Sequence, residues 1–155
     1  MNNNKEKTIA VNAIQNGTVI DHIPSNCVFK VISLLKLEGI DTPMVFATNL
    51  ESQKLITKAI IKISDVFFED SDINKIALIA PQAKLSIIKD YEVVEKKAVR
   101  VPDNVVGLVK CFNPMCITNH ENITTKFTVI PNNNISLKCI YCEKITNQED
   151  FELTT

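Results

Sequence analysis

The sequence predicts an α+β fold in two parts. An antiparallel sheet with two helices on one face comes first, and a small all-β segment stapled by a metal follows. Three observations predict it. Between Thr8 and Val94, runs that alternate apolar and polar residues are broken twice by apolar residues at helical spacing. The last stretch, about 55 residues, is too short to rely on an apolar core of its own. That same stretch holds four of the five cysteines, Cys111, Cys116, Cys139 and Cys142.

The elements follow in order. Thr8 to Ile14 places Ile9, Val11 and Ala13 against polar neighbours and reads as a strand. Asn16-Gly17 signals a turn before Thr18-Val19-Ile20-Asp21-His22-Ile23-Pro24, and Pro24 ends any ladder because it donates no N–H. Ser25 or Asn26 can cap a helix over 26–38, with Val28, Val31, Ile32 and Leu35 on its apolar stripe and Gly39 as its stop. Pro43 to Leu50 is rich in strand formers, and Glu51 to Lys54 makes a turn. Lys58 to Ser64 is a strand with Lys58, Ile60 and Lys62 on one face and Ala59, Ile61 and Ile63 on the other. Asp70-Ser71-Asp72 starts a short helix, with Ile73, Ile76 and Ala77 inward and Pro81 as its end. Lys84 to Val94 reads as one long final strand. Such a β-α-β-β-α-β order is a sandwich of the ferredoxin-like kind. Val101-Pro102-Asp103-Asn104 interrupts the pattern, so the expected domains are 1–100 and 101–155.

Composition excludes several classes. Net charge is −1, with +1 on residues 1–100 and −2 on 101–155, so no basic field draws the chain toward nucleic acid or an anionic membrane. Three scattered glycines allow neither a dinucleotide fingerprint nor a phosphate-cradling loop. No apolar run approaches the roughly 18 residues that span a bilayer. The start, Met1-Asn2-Asn3-Asn4-Lys5-Glu6-Lys7, lacks the apolar core of a signal peptide. The expected location is cytoplasmic, where thiols stay reduced.

The four cysteines are spaced C-x4-C, 22 residues, C-x2-C. Each close pair can sit on a tight turn and aim two sulfurs at one point, which gives the closed tetrahedral site of structural zinc. Lys110, Lys138 and Lys144 can offset its negative charge. The competing readings are buried free thiols, rubredoxin-type iron, and a redox C-x-x-C pair. Cys27 stands apart and reads as a small core residue on the first helix.

No convincing nucleophile and base occur together. His22 follows Asp21, but neighbours on a strand point to opposite faces, so the two are not expected to form a hydrogen-bonded pair. A sharper reading makes Asp21 an acceptor for hydroxyls and His22 a phosphate contact. Lys58, Lys62 and Lys96-Lys97 beyond Tyr91 would suit a polyanion such as a nucleoside triphosphate. The plainer reading of those lysines is a solvated face.

The run Gly17-Thr18-Val19-Ile20-Asp21-His22-Ile23-Pro24, with Ala80-Pro81-Gln82-Ala83, Tyr91-Glu92-Val93-Val94 and Tyr141-Cys142-Glu143-Lys144, resembles the regulatory chain of aspartate carbamoyltransferase. The resemblance covers nearly the whole chain in order. It implies a non-catalytic subunit whose first domain binds CTP as inhibitor and ATP as activator. Its second domain would hold one structural Zn²⁺ and dock on the catalytic chain, with regulatory chains paired as homodimers. Carried over by position, the nucleotide site would comprise Val11, Asn12, Ile14, Val19, Asp21, His22, Lys58, Ile60, Lys62, Ser86, Ile88, Tyr91, Val93 and Lys96. His22 and Lys96 would then meet the phosphates, Lys62 the base and ribose, and Asp21 the sugar hydroxyls. A zinc-ribbon nucleic-acid-binding protein is the alternative, and the negative second domain speaks against it.

Overall fold

The computed structural model describes residues 12–131 and 134–154. The first sheet has five antiparallel strands: β1 (Gly17–Pro24), β2 (Met44–Glu51), β3 (Thr57–Ser64), β4 (Lys84–Lys89) and β5 (Glu92–Ala98). Their spatial order is β2-β3-β1-β4-β5. Two short helices, α1 (Val28–Leu34) and α2 (Asp70–Ile76), form the second layer. Without β5, the sequence of elements and the order β4-β1-β3-β2 are those of the ferredoxin-like sandwich.

Alternation decides which face is buried. Thr18, Ile20 and Ile23 of β1, Ala59, Ile61 and Ile63 of β3, and Leu85 of β4 point toward the helices and are buried. Val28, Val31 and Ile32 of α1 and Ile73 and Ile76 of α2 cover them. The opposite residues, Val19, Asp21, Lys58, Ile60, Lys62 and Ser86, form the outward face, each partly accessible. Gly17 opens β1 at φ +141°, where a side chain would run into the carbonyl oxygen of Ile63.

Several expectations need correction. The strand at Thr8–Ile14 falls largely outside the described residues, and its last three, Asn12 to Ile14, have no regular structure. The helix over 26–38 is shorter. Ser25–Cys27 forms a 3₁₀ turn, and Lys36, not Gly39, takes the left-handed conformation that stops the helix, at φ 55°. Ser25 does not cap α1; its hydroxyl accepts from the Asn49 amide at 3.2 Å and ties the turn to β2. The long final strand is a hairpin. Asp90 and Tyr91 both have positive φ, 51° and 66°, and close a two-residue turn between Lys89 and Glu92.

The second sheet is all antiparallel, in the order β6 (Asn104–Val106), β7 (Lys126–Ile130), β8 (Ser136–Cys139), β9 (Ile145–Asn147). Val105, Val109, Phe127, Leu137 and Phe151 pack beneath it. Gln148 Nε2 of the second half donates to the Leu78 carbonyl of the first at 3.1 Å, and at the end of the first half the Arg100 amide donates to Asn74 Oδ1 at 3.2 Å. An open cleft of about 810 Å³ lies between the halves, and Cys27, half-buried and packed on the core edge, lines it. Among the described residues no helix is long and apolar enough to cross a membrane.

Candidate functional site

Strand pairing assembles one row across the outward face. Val45 lies opposite Lys62, Lys62 opposite Val19, Val19 opposite Ser86, and Ser86 opposite Lys96. Four of those five positions were singled out from the sequence; Val45 was not. Ile60 follows on the same face of β3, two residues from Lys62. Ile88 pairs with Val93 toward the hairpin tip. There the Tyr91 amide donates to the Gln15 carbonyl at 2.9 Å and the Asp90 amide to Asn16 Oδ1 at 3.1 Å. These bonds seat the irregular segment holding Asn12 and Ile14 against the tip of β4–β5. Lys62 Nζ donates to the Asn12 carbonyl at 2.9 Å. Val11 lies outside the described residues.

The other end of the face is ionic. Lys58 Nζ contacts both Asp21 oxygens, at 2.9 and 3.1 Å. Burial alone would push the Asp21 carboxyl up, but the Lys58 ammonium and the His22 amide N–H outweigh it and hold it below the usual carboxylate range. That amide donates to Asp21 Oδ1 at 2.6 Å. Strict alternation fails at His22, which takes φ 60° at a bulge between Ile20 and Ile23. Its ring therefore swings to the Asp21 side, with Nδ1 3.7 Å from Oδ2. That separation is too long for a hydrogen bond, and Nδ1 is buried without a partner, so no acid–base pair is formed.

The metal centre is built by two turns. Asn113 organises the first: its carbonyl accepts from the Cys116 amide at 3.0 Å and its side chain from the Met115 amide at 3.1 Å. Asn119 Nδ2 locks this turn through the carbonyls of Cys111 and Asn113, at 3.0 and 2.7 Å. The second turn follows β8. The Glu143 amide donates to the Cys139 carbonyl at 2.9 Å, and Glu143 takes φ 63°. The sulfurs of Cys111, Cys116, Cys139 and Cys142 all lie within 4.8 Å of one another. Cys111 and Cys142 are 3.6 Å apart, and Cys116 and Cys139 are 3.8 Å apart. Metal–sulfur bonds of about 2.3 Å in a tetrahedron require edges of about 3.8 Å. The donor set and its size therefore fit a structural metal ion, with no ligand position left for a substrate. Burial pushes the Cys111 and Cys139 thiols up. Burial opposes ionisation of Cys142 too, yet the Lys144 amide and its other hydrogen-bond partners bring it down to about 7. Thr118 Oγ1 donates to Cys116 Sγ at 3.2 Å, a supporting contact that the spacing of cysteines gave no means to find.

Comparison with known proteins accords with this two-part layout. The family described as aspartate carbamoyltransferase regulatory chain, allosteric domain, matches residues 9–100. Its companion, the metal binding domain of the same regulatory chain, matches residues 103–152. An aspartate carbamoyltransferase regulatory chain from Bacteroides fragilis is 53% identical over 153 residues, 99% of each chain. One from Parabacteroides distasonis is 51% identical, over 97% of this chain and 98% of its own. One from the archaeon Pyrococcus abyssi is 46% identical, over 92% and 95%.

Proposed function

Because the chain belongs to the family of aspartate carbamoyltransferase regulatory chains, we propose that it carries nucleotide control to a catalytic partner and performs no chemistry itself. CTP and ATP are the proposed effectors, competing for the outward face of the first sheet. The observation that carries this reading is the cross-strand row Lys62–Val19–Ser86–Lys96, flanked by Asp21 and Lys58. It offers cations at separated points over a flat, half-apolar floor, which suits a base and ribose at one end and phosphates at the other. Tyr91, Val93, Ile88, Ile14, Asn12 and Val11 would receive the base at the hairpin end. Val19 and Ile60 would form the floor, Lys62 would bind base and ribose, and Asp21 the ribose hydroxyls. His22, Lys58 and Lys96 would hold the phosphates.

In this reading residues 1–100 are the effector domain and 101–155 the docking domain. Zinc is the proposed metal, because four thiolates in a closed tetrahedron are its usual structural site. Phe112, Met115 and Ile117 on the first cysteine turn, and Ile140 and Tyr141 on the second, are exposed apolar side chains gathered around the cluster. Such a patch supports docking on the catalytic chain. Exposed Phe29, Val45 and Phe46 along α1 and the edge strand β2, with the two rings edge-to-face at 5.7 Å, support pairing of two regulatory chains.

The test is to mix the metal-loaded chain with the catalytic chain of the same source and to measure assembly mass and CTP response together. Assembly with a CTP-dependent change in carbamoyl transfer is expected. Assembly without any nucleotide response removes the effector assignment, and absence of assembly removes the docking role.

A further inference from the structure

Two bulges flank one short stretch of β3. On the β1 side, Ile20 pairs with Ile61 and Ile23 with Ala59, so Asp21 and His22 together oppose Ile60. On the β2 side, Ala47 pairs with Ile60 and Leu50 with Lys58, so Thr48 and Asn49 together oppose Ala59. Each bulge holds one left-handed residue that is not glycine, His22 at φ 60° and Asn49 at φ 61°. Such conformations persist only where their surroundings impose them. The first bulge returns Ile23 to the buried face and leaves the His22 ring on the side of Asp21.

The ring does not hold this bulge in place. His22 Nδ1 makes no hydrogen bond, and the bond from the His22 amide to Asp21 Oδ1 lies within the bulge itself. A brace is present three residues on, at Ser25. Its hydroxyl accepts from the Asn49 amide at 3.2 Å, and its carbonyl accepts from Thr48 Oγ1 at 3.2 Å. Both residues of the second bulge are therefore tied to Ser25. Between Ser25 and His22 stand Pro24, at φ −55° and paired with Lys58, and the fully buried Ile23, which leave little slack. A serine at the start of a helical turn ordinarily caps it. Here neither the Ser25–Cys27 turn nor α1 has a side-chain cap, and the Ser25 hydroxyl reaches to β2 instead.

We propose that Ser25 is a positioning residue for the effector site: by locking the Thr48–Asn49 bulge to the start of the helix layer, it fixes the facing Asp21–His22 bulge and keeps His22 where an effector meets it. Ser25 acts through His22 and not by contact with the effector. The inference deepens the effector reading given above and rests on it.

The test is a double-mutant cycle on the full-length, metal-loaded chain, with CTP affinity measured by calorimetry and the histidine ring resonances by NMR. His120, the one other histidine of the sequence, lies in the second domain and serves as an internal reference. Ser25→Ala should weaken CTP binding roughly tenfold and displace the His22 resonances, while those of His120 stay in place. Thr48→Val, which removes the hydroxyl donor and keeps the side-chain shape, should act in the same direction. Ser25→Thr, which keeps the hydroxyl, should behave as wild type. In a His22→Ala background, Ser25→Ala should change CTP affinity by less than about twofold. A full additive loss in that background overturns the proposal, and so does unchanged CTP affinity in Ser25→Ala; the effector reading stands in both cases. If wild type binds no CTP, the effector reading falls and the His22 resonances decide alone. Displaced in Ser25→Ala and restored in Ser25→Thr, they leave Ser25 as the brace of His22; unmoved, they remove that role as well.

Discussion

The two sheets reach stability by different means. In the five-stranded sheet, Thr18, Ile20 and Ile23 of β1 and Ala59, Ile61 and Ile63 of β3 are buried, and two helices close over them. That layer needs no ligand to hold it. The four-stranded sheet has strands of three to five residues, and three of its four cysteine ligands count among its buried residues. Where the first domain stacks a helix layer on its sheet, the second gathers four sulfurs within 4.8 Å. The contrast teaches where each half is vulnerable. The first depends on volume and shape, the second on the charge and chemistry of one centre.

The sharpest way to break the comparison is to remove the metal. Cys139→Ser, or a strong chelator, should unfold the second domain, because metal binding supplies much of its folding free energy, on the order of 10–16 kcal/mol in structural zinc peptides. Amide exchange should rise across Lys126–Ile130 and Ser136–Cys139 while protection in Thr57–Ser64 persists. Equal loss in both sheets would show one cooperative unit and end the contrast. The converse change is Ile61→Ala. Ile61 is fully buried between Ile20 and Phe46 in the register. Its truncation should cost about 2–5 kcal/mol in urea unfolding of the first sheet and leave metal content unchanged.

Legibility in the sequence differed between the halves for the same physical reason. Cysteine spacing states a metal centre directly, since only a few turn geometries bring C-x4-C and C-x2-C to one point, and the sulfurs do converge. Period-two alternation likewise states the faces of β3, and Lys58, Ile60 and Lys62 do share the outward side. What stayed hidden are left-handed residues that carry no glycine. Asp90 and Tyr91 close a hairpin without an Asn-Gly signal, so one long strand was expected where there are two. Lys36 stops α1 in the conformation expected of Gly39. His22 turns at a bulge that alternation has no means to express.

Within the first domain the comparison can be sharpened at the level of function. Lys96 lies on the outward face and is not part of the core, so Lys96→Ala should leave urea unfolding nearly unchanged. Triphosphate affinity should fall by roughly 1–3 kcal/mol, the range for a lost hydrogen bond to a charged group. Unchanged affinity by calorimetry would move the phosphates away from β5.

The smallest expected effect concerns Asp21. Its carboxyl is held below the ordinary Asp range by Lys58 and the His22 amide against the opposing influence of burial. A carboxyl whose folded pKa is depressed adds stability that is present above its unfolded value, near 3.9. That contribution is lost as pH falls through the folded value. In Lys58→Met the ammonium is gone while burial remains, so the Asp21 carboxyl should titrate at higher pH, followed by carboxyl-carbon NMR. Acid sensitivity of the first sheet should shrink correspondingly, while that of the metal centre, set by thiolate protonation, should not move. Should the Asp21 titration stay where it was, the depression comes from the His22 amide, and the bulge at His22, more than the ion pair, keeps Asp21 ionised.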